Sequence, residues 1–446
     1  MARGIPTTTT AALVAVVATT AMAQEYAGRD RLRAQSAEFR REVIQVASGV
    51  YVAVGYAASN VVLVQGDSGS IIVDTGTDSP AARAIVEAFG PRLRRPVRAI
   101  VYTHSHPDHT GGGRVFAGDD APDIVAHETF VKATPDPGRA GREGGDQFGM
   151  TLPADQFINA GVQAESGRVV PPTREGYLPP TKTFSGDEWS VTIAGVRVQL
   201  LHTPGETPDT IAVWLPDTRV LMPGDNVFRA FPNVAPIRGS RLRNPEAWVA
   251  SLDRVIALKP EHVVPGHTRP VLDAAAAAPT LAAYRDGLKS ILEQTLAGIR
   301  KGERPDELVA HVTLPPALAT HPFLQEFYGG VEWTVRGIYA DQVGWFDGNA
   351  TKLFPMPEKE RATRLVALIG GVARVVERAR AALAAGEFTW AAELADYVLV
   401  NDGAHVEARR LKAQALTELA ERQVNAIARN YYLTTAQFLL NDLPPR

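Results

Sequence analysis

The 446-residue chain contains no cysteine. No disulfide framework and no thiolate metal site can exist, so any bound metal must rest on histidine, aspartate or glutamate. An excess of one charge sign is also missing: 46 Lys and Arg stand against 49 Asp and Glu, a formal net charge of −3. Without a basic block the chain lacks the footprint of a nucleic-acid binder, and no nucleic-acid partner is expected. Long apolar runs are absent except near the start, where Thr7 to Ala21 is small and apolar behind Arg3. That run is too short, and too rich in threonine and alanine, for a membrane span. Ala21-Met22-Ala23 then supplies a small-x-small cleavage site before Gln24. Residues 1–23 are therefore expected to be a removed signal peptide, leaving a secreted or periplasmic protein with no membrane span.

What is present has a clear order. Glu42 to Thr75 predicts strand–turn–strand twice, with Gly49 and the stretch Gly66-Asp67-Ser68-Gly69 as the turns. A helix follows over "SPAARAIVEAFGPRL", with Ser79 as N-cap and Pro80 at its first position. "VRAIVYT" is a buried strand, and it runs straight into "THSHPDHTGG" at residues 103–112. A histidine cluster thus falls on a loop at the carboxyl end of a strand, where α/β proteins build their sites. Residues 135–188, rich in Gly and Pro, form a long excursion before strands resume at "WSVTIAGVRVQLLHTPG" and "TIAVWLPDTRVLMPGD". A helix ("NPEAWVASLDRVIAL") and a short strand ("HVVPGH") complete an α/β domain expected over 24–275. The alanine run 274–278 and Pro279 mark its boundary with an all-α domain over 280–446. There Leu281, Tyr284, Leu288, Ile291 and Leu292 keep helical spacing, and two alanine-rich segments resemble one tetratricopeptide-like unit.

The cluster carries the chemistry. His104 and His106 are separated by one residue, so extended backbone points both imidazoles to one side; Asp108 and His109 follow where Pro107 turns the chain. The arrangement can offer two imidazoles to one cation and a carboxylate with an imidazole to a neighbour, the two ions activating a shared water. Gly111 and Gly112 would let backbone approach the ions. Four ligands do not complete two sites. Glu206 in "HTPGETPDT", Asp225 in "LMPGDN" and His267 in "VVPGHT" each follow an apolar strand and a Pro-Gly, which delivers all three to one sheet edge. Singly each is an ordinary turn residue; together they predict a metal centre.

These segments resemble the metallo-β-lactamase superfamily, an αββα sandwich with two zinc ions. Most members place His after Thr-Pro-Gly, whereas Glu206 in that position resembles the alkylsulfatase branch. That branch usually also has Glu in the bridging position, and here Asp225 is the superfamily's ordinary residue. "GWFDGN" and "ARNYYLT" are similar to segments of the alkylsulfatase dimerisation domain. The resemblance implies that His104, His106 and Glu206 hold the first zinc, that Asp108, His109 and His267 hold the second, and that Asp225 bridges. It places sulfate-binding Asn and Arg at Asn233 and Arg238 of "NVAPIRG", and an active-site tyrosine at Tyr339, for which a core role is the alternative. Asp108, Arg238 and Tyr339 are then the catalytic candidates. Two departures stand out. "FGMTLP" puts Phe148 and Met150 in the substrate pocket where relatives carry Tyr and Asn, and each lost contact to a charged group is worth ~1–3 kcal/mol. Longer relatives also carry a further apolar C-terminal domain, so a substrate of modest size is expected. The implied function is dinuclear zinc hydrolysis of alkyl or aryl sulfate esters by a homodimer paired through the helical domain. Hydrolysis of a lactone, β-lactam or other acyl ester is the second reading, and a non-catalytic metal-binding scaffold the third.

Overall fold

The computed structural model describes residues 26–130, 145–164, 174–239, 242–441 and 443; the expected signal peptide lies outside them. Seven strands form the first sheet, in chain order: β1 (Glu42–Ala47), β2 (Val50–Val54), β3 (Val61–Gly66), β4 (Gly69–Val73), β5 (Val97–Val101), β6 (Asp123–His127) and β7 (Lys182–Phe184). The first four pair antiparallel and β4 to β7 pair parallel. The second sheet has β8 (Glu188–Ile193), β9 (Val196–His202), β10 (Ile211–Leu215), β11 (Val220–Met222) and β12 (His262–Val263), with only the β11–β12 pair parallel.

Burial patterns explain how the sheets stack. β4 and β10 are buried at every position, as expected of strands covered on both faces. Val52, Val62, Ile71, Val73 and Val101 of the first sheet meet Leu200, Val213 and Met222 of the second in one apolar layer. The alternate residues Leu63, Ile72 and Ile100 face away, onto Ala82, Ile85 and Phe89 of the helix Ser79–Phe89. Beyond the second sheet, Trp214 and Leu221 pack with Trp248 and Leu252 of the helix Pro245–Ala257 and with Leu281, Tyr284 and Leu288 of the helix Ala274–Arg300. The layers run helix, sheet, sheet, helix, which is the expected αββα sandwich. A helical region follows, with the expected helix pair at Phe388–Leu399 and Val406–Arg422. Its buried alanines, among them Ala391, Ala395, Ala408 and Ala415, let the helices approach closely. Among the described residues no helix is long and apolar enough to cross a membrane.

Three local expectations change. The N-cap of the first long helix is Asp78, whose carboxylate accepts from Ala81 N at 2.8 Å; Ser79 is already helical. Carboxylate and hydroxyl caps are close competitors, and the sequence offers both side by side. Residues 274–278 and Pro279, where the domain boundary is expected, form the opening turns of the helix Ala274–Arg300, capped by Asp273. Alanine's helix propensity carries the chain through the proline. Finally, β7 lies inside the Gly/Pro-rich excursion, recruited by pairing with β6 rather than by its own apolar pattern.

The helical region meets the sandwich closely. A Cβ on Gly329 would lie 2.0 Å from Pro232 O, and one on Gly337 2.6 Å from the Cβ of Ala235 and 2.8 Å from Leu242. Leu288, fully buried in the shared cluster, tests this continuity. Leu288→Ala is expected to cost about 2–5 kcal/mol, read as a lower urea midpoint with sheet and helix signals moving together; separate transitions would show that the cluster does not couple the two regions.

Candidate metal centre

β4 and β5 are parallel neighbours, and their carboxyl ends build the first half of the site. Asp74, just past β4 with φ 59°, accepts from Thr103 N and from Thr103 Oγ1, both at 2.8 Å, and its Oδ2 lies 2.8 Å from His109 Nδ1. The single helical turn Pro107–Thr110 carries Asp108 and His109 back under His104 and His106. Gly111 and Gly112 do not face the ligands, contrary to expectation. A Cβ on Gly111 would lie 1.9 Å from Thr77 O and one on Gly112 2.3 Å from Thr75 O, so these glycines let the cluster pack onto the loop after β4.

The second sheet delivers the rest. Asn226 pins the two loops to each other: its Oδ1 accepts from Glu206 N at 2.9 Å, and its Nδ2 donates to Thr203 O at 2.7 Å. Donor atoms of His104, His106, Glu206 and Asp225 lie within 4.8 Å of one another, as do those of Asp108, His109 and His267. Glu206 Oε2 is 3.3 Å from His106 Nδ1 and 3.6 Å from His104 Nε2. Asp108 Oδ2 is 3.6 Å from His109 Nε2 and 3.5 Å from His267 Nε2. Asp225 stands between the two sets, with Oδ1 3.4 Å from His109 Nε2 and Oδ2 3.0 Å from His267 Nε2 and 3.8 Å from His104 Nε2. All seven predicted ligands therefore converge, in the two groups expected.

The donor set fits a pair of divalent cations. His109 Nε2, Glu206 Oε2 and Asp225 Oδ1 are buried without a hydrogen-bond partner, and such orphans are rare unless something else binds there. Their companion atoms are engaged: His109 Nδ1 on Asp74, and His267 Nδ1 on Ala58 O at 2.8 Å. Contacts of that kind fix tautomer and ring orientation in metal-binding histidines. Electrostatics divide the four imidazoles: burial works to lower His109 and His267, but Asp225 outweighs it and raises both. Burial, with His109 nearby, holds His104 well below the ordinary imidazole range, and burial, with Arg243 and Arg238, takes His106 down to about 3. Both are kept neutral, the ligating form. Burial works to raise Asp225, but His267 and His109 outweigh it and hold the carboxyl well below its usual range. Burial pushes Glu206 up to about 7 against the pull of Arg243.

The remaining candidates separate. Asn233 is buried with Oδ1 unpartnered, and Arg238 has a buried, unpartnered Nη1; the charge of Arg238 is felt at both His106 and Glu206. Phe148 is partly buried against two apolar clusters, one with Leu152, Phe157 and Leu433 and the other with Val162, Phe228 and Ile427. Met150 folds against Gly145 in the same turn. Tyr339 is in the large apolar cluster with Trp248 and Val335.

Comparison with known proteins adds what geometry cannot. Residues 54–267 match the metallo-β-lactamase superfamily and residues 304–442 match the alkyl sulfatase dimerisation domain. A linear primary-alkylsulfatase of a Pseudomonas species is 37% identical over 395 residues, covering 85% of this chain and 74% of the relative. The chain belongs to the alkylsulfatase family. An alkyl/aryl-sulfatase of Saccharomyces cerevisiae is 27% identical over 91% of the chain and 65% of the relative. The crystal structure of a stereoselective inverting sec-alkylsulfatase from Pseudomonas superposes with a TM-score of 0.81 at 28% identity, over 91% of this chain and 66% of that one. This member of the family is thus an enzyme on the metallo-β-lactamase scaffold, spanning about two thirds to three quarters of these relatives.

Four site residues of this alkylsulfatase-family chain escape sequence reasoning. Asp74 ends "IIVDTG" and Asn226 follows Asp225 directly, positions with no spacing signal of their own. Arg243 is the third arginine after Asn233, and nothing in "RGSRLRN" says which one turns inward. Tyr284 keeps the apolar spacing of its helix, yet its buried hydroxyl has no partner, and burial together with Asp225 pushes it well above the ordinary phenol range.

Two outcomes are expected. Asp74→Ala frees His109 and should lower metal affinity about 10–100-fold, measured by chelator competition; unchanged affinity would remove Asp74 from the centre. Asp209, almost fully buried beside Ser105 with Oδ2 unpartnered, is pushed up to about 6 by burial. Its folded value lies above the unfolded one, so its favourable contribution is complete below about pH 4 and is lost as pH rises through 6. Metal-free Asp209→Asn should be more stable than the parent at pH 7.5 by on the order of 2–3 kcal/mol, the gap closing toward pH 4 in urea titrations.

Proposed function

We propose that the protein hydrolyses alkyl or aryl sulfate esters to an alcohol and sulfate, using two zinc ions. The observation that carries this reading is the convergence of seven ligating side chains, three of their atoms orphaned, within electrostatic reach of Arg238. His104, His106 and Glu206 would hold one ion, Asp108, His109 and His267 the other, with Asp225 shared. Such ions, when bound, supply Lewis acidity and a water that ionises near neutral pH.

The chain's own groups do the rest. Arg238 offers a planar, permanently charged fork that can donate two hydrogen bonds to sulfate oxygens, and Asn233 orients the same group. Asp108, whose side chain is 30% exposed against 7% or less for Glu206 and Asp225, opens toward solvent and can orient the attacking water. Phe148, Ile237 and Trp333, partly buried around the cluster that holds Phe228, would offer apolar surface to an alkyl or aryl leaving alcohol.

The test is turnover of the metal-loaded protein on a short alkyl sulfate, an aryl sulfate and acyl esters. Sulfate release should depend on metal and fall about 10²–10³-fold in Arg238→Ala, the scale for a lost transition-state donor. Acyl turnover without sulfate release would transfer the protein to the second reading; bound ions with neither turnover would make it a scaffold.

We also propose a homodimer and export. The match to a dimerisation domain and the exposed apolar strip Trp345, Leu353, Phe354 and Met356, with Trp345 76% and Phe354 95% exposed, support pairing through the helical region. Trp345→Ser/Phe354→Ser should sediment as a monomer where the parent sediments as a dimer. Ala21-Met22-Ala23 supports secretion or periplasmic location; the processed protein should begin at Gln24 by N-terminal sequencing.

A further inference from the structure

Glu206 is the ligand in which this chain departs from the usual histidine, and its surroundings are unusual. A lone carboxylate in so buried a place is costly unless paired and hydrogen-bonded. Arg243 supplies the pair: its Nη2 lies 2.5 Å from Glu206 Oε1, with the two side chains 5% and 3% exposed. Oε1 is thereby engaged, while Oε2, on the side of His104 and His106, has no partner. The carboxylate is split into an anchored oxygen and a free one.

The arginine is itself held. Its backbone N donates to Val234 O at 3.0 Å, closing the loop that carries Asn233 and Arg238. Its neighbour Leu242 packs against Gly337 of the helix Val331–Val343, where no side chain larger than hydrogen fits without displacement. Arg243 is therefore fixed from behind by the helical region and from in front by Glu206.

We propose that Arg243 is a positioning residue that converts Glu206 into an electrically neutral ligand unit, Glu206 plus Arg243 standing where the superfamily uses one neutral histidine. Arginine's charge cancels that of the carboxylate, and the single contact of Nη2 on Oε1 fixes which oxygen faces the ion. The set His104, His106 and Glu206–Arg243 then presents the ion with the same net charge as three histidines. A consequence follows for substitution. Glu206→His alone leaves the Arg243 charge buried, unpaired and close to a cation, so restoring the superfamily's residue should impair the site unless Arg243 is removed with it.

The inference rests on the metal reading above, and the test separates the two. Metal-free full-length protein is titrated with Zn2+ against a chromophoric chelator, and with Co2+ followed by its visible absorption, which reports ligand geometry. The parent should take two ions. Arg243→Met should weaken one of them about 10–100-fold, the range for loss of an outer-shell partner, and keep the ion of Asp108, His109 and His267, which also shows that the variant is folded. Arg243→Lys, which restores the charge on a shorter and differently shaped head, should fall between. Glu206→His should bind the first ion worse than the double variant Glu206→His/Arg243→Met, which should recover most of the loss. The inference is overturned if Arg243→Met binds both ions as the parent does, if the double variant is no better than Glu206→His, or if both ions are lost together. A parent that binds no ion would instead refute the metal reading.

Discussion

The Asp74 carboxylate ties the carboxyl ends of two parallel strands together, and the centre depends on that tie. One of its oxygens receives the Thr103 amide; the other meets both the Thr103 hydroxyl and His109 Nδ1. The first contacts set the direction in which the chain leaves β5, and hence where His104 and His106 begin. The last sets the rotation of an imidazole five residues downstream. The short turn Pro107–Thr110 is held further by Ser59 Oγ, which donates to Asp108 O, and by Thr75 Oγ1, which donates to His109 O at 3.1 Å. Asn226 performs the corresponding task on the second sheet, joining the Glu206 loop to the Asp225 turn. Two polar residues that touch no ion thus determine where six of the seven ligands go.

Charge has to be distributed as carefully as shape. Asp225 and Glu206 are buried beside four histidines, and each is stabilised in its own way: Asp225 by the imidazoles on either side, Glu206 by a guanidinium behind it. The asymmetry explains why the two groups of ligands can sit so close. One half of the centre compensates its carboxylate inward, the other outward, toward the loop that also presents Arg238.

Much of this was legible in the sequence, for physical reasons. Ligands occur at the ends of apolar strands, so strand periodicity and Pro-Gly punctuation locate His104, Asp225 and His267 without coordinates. The αββα layering is implied by the resemblance of these segments to the metallo-β-lactamase superfamily, whereas periodicity alone gives strands and helices of an α/β domain. What stayed hidden belongs to tertiary contact. Asp78 and Ser79 compete locally as caps and only packing decides between them. Gly111 and Gly112 look like ligand-facing glycines, yet the backbone they accommodate is that of Thr75 and Thr77. Arg243 is one arginine of three until Leu242 meets Gly337, and Tyr284 keeps a core pattern although its hydroxyl lies within electrostatic reach of Asp225 and Glu206.

The contacts at Gly329 and Gly337 bear on divisibility. By ligand count the sandwich is complete: every one of the seven donors precedes residue 268, and so do Asn233, Arg238 and Arg243. The wall against which the Asn233-to-Arg243 loop rests is nevertheless contributed by backbone some hundred residues later in the chain. A gene fragment encoding the sandwich alone would carry the whole inventory of chemical groups yet not their arrangement. In this chain the unit that packs together is therefore larger than the unit that holds the chemistry.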